Sequence, residues 1–360
     1  MSPRRPGPSR PSLATVARAV GVSAATVSNA YNRPERLSAG LLQQIRTEAQ
    51  RQGYAGPDPV AAQLSRGRTD TLGLLLTARL PAAFSDPGAV AFLEGLSTGC
   101  HGAGLNLLLI SSEPVAGRAQ VPGRAVSNAV VDGFVVYSVR EDDPSLRQIR
   151  DRQLPTVVVD SPAPFPGADW VGPDDRAGAR QLAEDLVAMG HRRIGVITAG
   201  GGGYSGPVGL ARVAADPVGV HHRRVLGIAD ALAEVGVTDL PIEERPVNSA
   251  AAGADALHAL LTRCPELTAV CALMDVMALG ALDAARARGL HVPSDLTVTG
   301  YDDIPQAATA GLSTVHQPLQ DKGRVAAELW LSHRPGGEDR RRVLPTHVVV
   351  RGSSGPPQAG

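Results

Sequence analysis

Across 360 residues the chain has only three cysteines, two tryptophans and 3% aromatic residues. No apolar run reaches the roughly 18 residues that a membrane span requires. Cys100, Cys264 and Cys271 sit in apolar segments without C-x-x-C spacing, which argues against a disulfide framework or a zinc ribbon and leaves reduced core thiols as the expectation. The basic, proline-rich start MSPRRPGPSR has no apolar stretch behind it, so a secretory signal is not expected; the chain is placed in the cytoplasm, with no membrane partner. A nucleophile elbow, zinc-ligand spacing and a phosphate loop are also missing. The run Gly200 to Gly203 lacks the Walker lysine and the G-x-G-x-x-G register, so it reads as a loop. His191, in MGHRRI, reads as a helix-end histidine facing the helix dipole rather than a catalytic base. Neither an enzyme nor a resident metal or cofactor is expected.

Charge is balanced overall but unevenly distributed. Residues 1–68 carry ten arginines against Glu35, Glu48 and Asp58, whereas the remainder holds 25 basic and 32 acidic residues. A small basic head on an acidic body points to a head that meets a polyanion. A chain of this length also exceeds what one core usually serves, so a small domain followed by a larger one is expected.

Within the head, Leu13, Val16, Ala17 and Val20 recur at helical spacing behind a capping Ser12. Gly21 and Val22 break that helix. Ser23 then caps ATVSNAYN, whose Val27, Ala30 and Tyr31 share a face. Ser38 opens a third helix, with Leu37 and Leu42 as a hydrophobic staple and Leu41, Ile45 and Ala49 inward. Helix, short turn and helix within about twenty residues is the spacing of a helix-turn-helix, although a generic three-helix bundle fits the apolar pattern equally well.

The residues around the turn discriminate. The string LATVARAVGVSAATVSNAYNRPERLS closely resembles the headpiece of the LacI/GalR family of bacterial transcriptional regulators, through Gly53 and Tyr54. One departure is Thr15, where that family commonly has an acidic residue, and it is expected to weaken the first capping box. The resemblance implies a second helix in the major groove. Ser23 would cap it, Ala24, Ala25 and Asn29 would face base edges, and Thr26 and Ser28 would face phosphates. Asn29 suits a bidentate contact to adenine, while the alanines offer only apolar contact. Residues 57–68, PDPVAAQLSRGR, resemble the family's hinge helix, which implies that Leu64 wedges between base pairs from the minor groove. The domain expectation is therefore headpiece 1–56, hinge 57–68 and body 69–360.

The body alternates short apolar runs with helical segments, the pattern of a parallel α/β domain. Strands are expected at Thr71 to Leu76, Asn106 to Ile110, Gly133 to Val136, Thr156 to Val159, Ile194 to Thr198, Ala269 to Leu273, Leu296 to Thr299 and His347 to Val350. Residues 111–127 and 199–220 read as irregular. VDGFVVYS, LPTVVVDS, RRVLGIADAL, LMDVMALGALDAARARGLHVPSDLTVTGYDDIP and LSTVHQPLQDKGRVAAEL extend the resemblance in family order. They imply a two-lobed, periplasmic-binding-protein-like (type I) fold of parallel sheets with a small-molecule effector, a sugar or nucleoside, between the lobes.

Carried over by resemblance, Arg224 clamps effector hydroxyls, Asp302 accepts from them and Asp275 matches a third position. Met274 stands where a polar residue is usual, and AAFSDPGA departs from the family's N-P-F-F, leaving Phe84, Ser85 and Asp86 to face the cleft there, Phe84 and Asp86 as the effector candidates. Tyr137 and Asp160, at strand ends, are secondary ones. An inter-lobe salt bridge is the alternative role for Arg224 and Asp302. The expected protein is a homodimeric repressor of palindromic double-stranded operator DNA, with Ala89 to His101 and Val276 to Arg288 as candidate interface helices. A solute-binding protein would share the body's fold but has no use for the head.

Overall fold

The computed structural model describes residues 11–56, 67–76, 80–111, 121, 123–161, 165–200, 203–215, 219–334 and 336–358. Residues 57–66 of the expected hinge helix (57–68), Leu64 included, lie outside the described residues. The chain divides into two compact units, Met1–Thr69 and Asp70–Gly360.

The described residues of the first unit hold the helices α1 (Leu13–Val20), α2 (Ala24–Asn32) and α3 (Ala39–Gln52), with a 3₁₀ turn at Pro34–Arg36. Each α-helix starts at the serine that the sequence marked. Ser12, Ser23 and Ser38 accept from the backbone N–H of Thr15, Thr26 and Leu41, each such cap contributing about 1 kcal/mol. Thr15 does not weaken its box: its hydroxyl accepts from the Ser12 N–H at 2.9 Å, and Ser12 and Thr15 cap one another as a Ser–Glu pair would. Gly21 and Gly53 end their helices at φ 76° and 70°, in the left-handed region where a Cβ is costly. Val16, Ala17, Val27, Ala30, Ile45 and Ala49 form the small core, and Tyr31 meets Tyr54 edge-on at 5.9 Å.

The second unit has two lobes. Lobe 1 holds a six-stranded sheet of order β12-β5-β4-β3-β1-β2, with β1 (Thr71–Leu76), β2 (Asn106–Ser111), β3 (Gly133–Tyr137), β4 (Thr156–Val159), β5 (Ala168–Pro173) and β12 (Arg341–Leu344), all parallel. Its helices are α4 (Leu80–Ser85), α5 (Pro87–Gly102), α6 (Arg124–Asn128), α7 (Pro144–Arg152) and, returning late in the chain, α14 (Leu319–Leu331). Lobe 2 holds β10-β9-β6-β8-β7, with β6 (Ile194–Ala199), β7 (Gly206–Val208), β8 (Ile242–Arg245), β9 (Ala269–Ala272) and β10 (Thr297–Thr299); only β7 is antiparallel. Around it lie α8 (Asp175–Ala188), α9 (Leu210–Ala214), α10 (Gly219–Glu234), α11 (Ala250–Arg263), α12 (Asp275–Ala287) and α13 (Pro305–Ala310). The chain crosses between lobes near residues 174, 317 and 345. Beside two of these crossings, β11 (Thr314–His316) and β13 (His347–Val349) pair as an antiparallel ribbon.

The parallel α/β expectation holds, but five strands were not read from the sequence. β7, β11 and β12 are short or exposed at an edge. β8 is IEER, whose charges disguise a fully buried strand. β5, ADWVGP, mixes an acid, a glycine and a proline into a segment buried throughout. The His347 to Val350 strand exists, but in the ribbon rather than in either main sheet.

Helix pairs within each lobe pack at glycines. A Cβ on Gly95 would lie 1.9 Å from the Gln320 carbonyl oxygen across the α5/α14 contact, and one on Gly280 would lie 1.8 Å from the Ala250 carbonyl oxygen across α11/α12. Both obstacles are backbone, which cannot swing aside as a side chain does. Gly280→Ala is expected to destabilise the body by about 1–3 kcal/mol, read as a lowered urea midpoint with an unchanged slope.

Candidate functional site

In the helix-turn-helix unit, Ala24 and Ala25 are exposed at the first turn of α2, and Thr26, Ser28 and Asn29 are half-buried beside them. Ser23 and Thr26 share a hydroxyl contact of 2.8 Å, and Ser28 accepts from the Asn32 amide at 3.2 Å. The N-terminal half of α2 thus presents small side chains, pinned hydroxyls and Asn29. Arg18, Arg33 and Arg36 are exposed on the same small unit, so cationic side chains are available on its surface.

In the body, the carboxyl ends of the parallel strands of both lobes face a common cleft. Strained backbone collects there: Ser138, Asp160, Asp302 and Asp303, which follow β3, β4 and β10, have φ of 47°, 63°, 124° and 58°. Arg224, on α10, is buried. Its Nε donates to Asp175 Oδ1 at 2.8 Å, its Nη1 donates to the Leu273 carbonyl at 2.6 Å and lies 3.4 Å from Asp302 Oδ1, and its guanidinium stacks 3.7 Å from the Tyr301 ring centre. All of these partners belong to lobe 2, so the alternative of an inter-lobe salt bridge between Arg224 and Asp302 does not hold; the pair lies within one lobe.

The link between lobes runs through residues the sequence reading left out. Gln317, on the crossing segment, donates its amide to Asp302 Oδ1 at 2.5 Å and accepts at Oε1 from Lys322 Nζ at 2.7 Å. Lys322 in turn donates to Asp160 Oδ2 at 2.8 Å. Asp160, Lys322, Gln317, Asp302, Arg224 and Asp175 therefore form one buried polar chain from lobe 1 to lobe 2. Lys322 had a signal in the sequence: it is a lone charge on the stripe Leu319, Gly323, Ala326, Ala327 and Trp330, all buried on α14.

Tyr137 lies among these groups with its ring stacked on Phe92, centroids 4.0 Å apart. Burial, with Asp160, Asp86 and Asp302 adding to it, raises its phenol well above the ordinary value, so it stays a neutral donor and acceptor. Burial likewise raises Asp302, opposed by Arg224 and assisted by Asp275 and Asp86. For Arg224, burial alone would lower the guanidinium, but Asp175 and Asp302 outweigh it and hold the charge. Asp86 caps α5 through the Gly88 N–H at 2.9 Å and meets the Asn248 amide across the cleft at 3.4 Å. Phe84, two residues earlier, is largely exposed. Asp275 behaves differently from the expectation of a free ligand group: Thr314 Oγ1 donates to its Oδ1 at 2.6 Å and the Ile304 N–H to its Oδ2 at 2.9 Å. It fixes the loop that carries Asp302. Burial pushes its carboxyl up to about 6, against those two bonds.

Several polar atoms here are buried without a hydrogen-bond partner: Asp160 Oδ1, Asn248 Oδ1 and the Tyr301 hydroxyl, and also Asp175 Oδ2, which instead faces the Arg223 guanidinium at 3.5 Å. Unsatisfied buried acceptors are expensive unless a ligand or water donates to them. Among the described residues no cluster of three or more potential metal-binding side chains occurs.

His191 does not face a helix dipole. It is fully buried, its Nε2 at 2.8 Å from the Gly355 carbonyl and its Nδ1 at 2.9 Å from Thr268 Oγ1, and so ties the C-terminal segment to lobe 2.

A helix-turn-helix unit joined in one chain to a two-lobed, cleft-bearing α/β body defines a DNA-binding transcriptional regulator. Residues 183–354 match the periplasmic binding protein-like domain family. The chain is 42% identical to an HTH-type transcriptional regulator of Mycolicibacterium smegmatis, over 99% of this chain and all of that one. A LacI family regulator from Corynebacterium glutamicum superposes with a TM-score of 0.71 at 34% identity, covering 95% and 97% of the two chains. The complex of the regulator CelR with cellobiose gives 0.67 at 28% identity, covering 96% and 100%. The chain belongs to the LacI family of transcriptional regulators. No helix among the described residues is long and apolar enough to cross a membrane.

Replacing Lys322 by Met leaves the Asp160 carboxylate buried without its cation, and a loss of about 3–5 kcal/mol is expected in urea unfolding. Adding Asp160→Asn should recover much of it. Burial lowers the His191 imidazole below its ordinary value, with the Gly355 carbonyl opposing. The folded state therefore binds fewer protons than the unfolded one, and stability should fall as pH drops below about 6.5. Melting curves from pH 7.5 to 5 should show a steeper acid loss for the wild type than for His191→Gln.

Proposed function

We propose that this regulator is a homodimeric repressor whose two copies of α2 enter the major groove of a palindromic operator, and whose operator affinity is set by a donor-rich small molecule bound between the lobes. The observation that carries the effector reading is the pair of buried acceptors without a donor at Asp160 Oδ1 and Asn248 Oδ1. Arg224 and Lys322 are already held by carboxylates. An incoming phosphate or carboxylate would compete with those carboxylates for the same cations, whereas hydroxyl groups satisfy the free acceptors directly. A neutral sugar or related polyol fits that chemistry, and CelR, a relative of similar fold, is complexed with cellobiose. Asp86, Tyr137, Asp160, Arg224 and Asp302 are its proposed contacts, with Phe84 at the rim and Asp275 acting behind Asp302.

At the DNA, Asn29 is assigned to a base edge, Ala24 and Ala25 to apolar contact, and Thr26 and Ser28 to phosphates, with Ser23 capping the helix that carries them. The minor-groove wedge at Leu64 stays part of this reading. Dimerisation is supported by partly exposed apolar side chains on edge strand β2 and α5, Leu108 and Val90, and by a cavity of about 350 Å³ between α12 and α13 lined by Leu279 and Leu282. A cytoplasmic location follows from the DNA target.

Fluorescence anisotropy on the chain's own upstream DNA tests the reading, with a panel of sugars and polyols beside their phosphate esters. Specific binding is expected to change with an unphosphorylated compound and not with its ester, and Asn29→Ala is expected to cost about 1–3 kcal/mol of operator discrimination. Ester-selective control would refute the effector chemistry; unchanged discrimination in Asn29→Ala would refute the assignment at the base edge.

A further inference from the structure

Arg223 is the immediate neighbour of Arg224, and successive residues on an α-helix point about 100° apart. The two guanidinium groups therefore cannot serve the same partners in the same direction. Arg224 turns inward and stays within lobe 2. Arg223 turns across the cleft: its Nη2 donates to the Asp160 carbonyl of lobe 1 at 3.0 Å while lying 3.5 Å from Asp175 Oδ2 of its own lobe. Asp160 is prepared for this contact. Its backbone sits at φ 63°, a left-handed geometry, and its carboxylate is held on the lobe 1 side by Lys322. A second contact across the cleft joins the Asn248 amide to Asp86 at 3.4 Å.

We infer that Arg223 is a positioning residue that latches the two lobes together without an effector, and so sets the conformational equilibrium against which an effector works. The anchor on Asp175 holds the guanidinium in place before it reaches lobe 1, so the latch is preorganised rather than recruited. About a third of the Arg223 side chain is exposed, which makes the contact breakable, unlike the buried chain beneath it. The consequence for effector affinity rests on the proposed cleft function; the latch itself does not.

The test reads the lobe-to-lobe distance in the full-length protein without DNA or effector. Spin labels are placed at Ser97 on α5 and Ala233 on α10, both exposed, with Cys264 changed to serine and labelled chains diluted in unlabelled ones. Cys100 and Cys271 are buried. Double electron–electron resonance should give a single short distance for the wild-type latch. Arg223→Gln should lengthen it by more than about 2 Å or add a longer population, with circular dichroism unchanged. Arg223→Met, which keeps the aliphatic stem and removes the donor, serves as the second, milder variant should Arg223→Gln fail to fold. A distribution in the folded variants that superposes on the wild type overturns the latch. Operator affinity of the same variants is read separately and should change by about fivefold or more. A lengthened distance with unchanged operator affinity upholds the latch and overturns instead the coupling of cleft to DNA in the proposed function.

Discussion

Placing charged groups out of water is the constraint on which the body's architecture turns. The cleft buries Asp160, Asp175 and Asp302, and each would be strongly destabilising alone. Arg224 and Lys322 neutralise them, and Gln317 joins the two halves by donating to Asp302 and accepting from Lys322. Because Gln317 sits on a chain crossing, the polar chain is continuous from one lobe to the other. Rearranging either end disturbs partners in both, which is the physical requirement for a site whose occupancy alters lobe geometry. The same pairing uses up the cations and leaves Asp160 Oδ1 without a donor, which is the premise of the proposed effector chemistry.

Rigidity is placed on either side of that network. Gly95 in lobe 1 and Gly280 in lobe 2 let helices approach until backbone meets backbone, and such contacts do not deform gradually. The chain crossings lie outside these helix contacts, two of them beside the β11/β13 ribbon. Asp275 illustrates the division of labour. It carries a carboxylate at a family ligand position but spends both oxygens on Thr314 and Ile304, holding the Asp302 loop in an unfavourable backbone conformation.

The helix-turn-helix unit follows simpler rules. Its core is six small or branched residues, and much of its definition comes from caps: three serines at the starts and two glycines at the ends. Thr15 shows how local that chemistry is, since a hydroxyl in place of a carboxylate completes the same reciprocal pair.

The sequence by itself determined what depends on near neighbours. Helix starts, the inward faces of α1 to α3, most of the strands, the basic head and the family resemblance were all legible, because caps, periodicity and turn residues act over a few positions. It also pointed to Arg224, Asp302, Asp160 and Tyr137 as strand-end and helix residues of a cleft. Only the tertiary structure decided their partners. Lys322 is some 160 residues from Asp160, His191 a similar distance from Gly355, and Arg223 looks like its neighbour until the helix is set against both lobes. Strand β8 reads as solvent-facing until Arg212, Asp255 and Arg263 neutralise it from other elements. Burial and pairing across long stretches of chain are properties of the folded surface, and no local pattern of residue types encodes which distant charge will arrive.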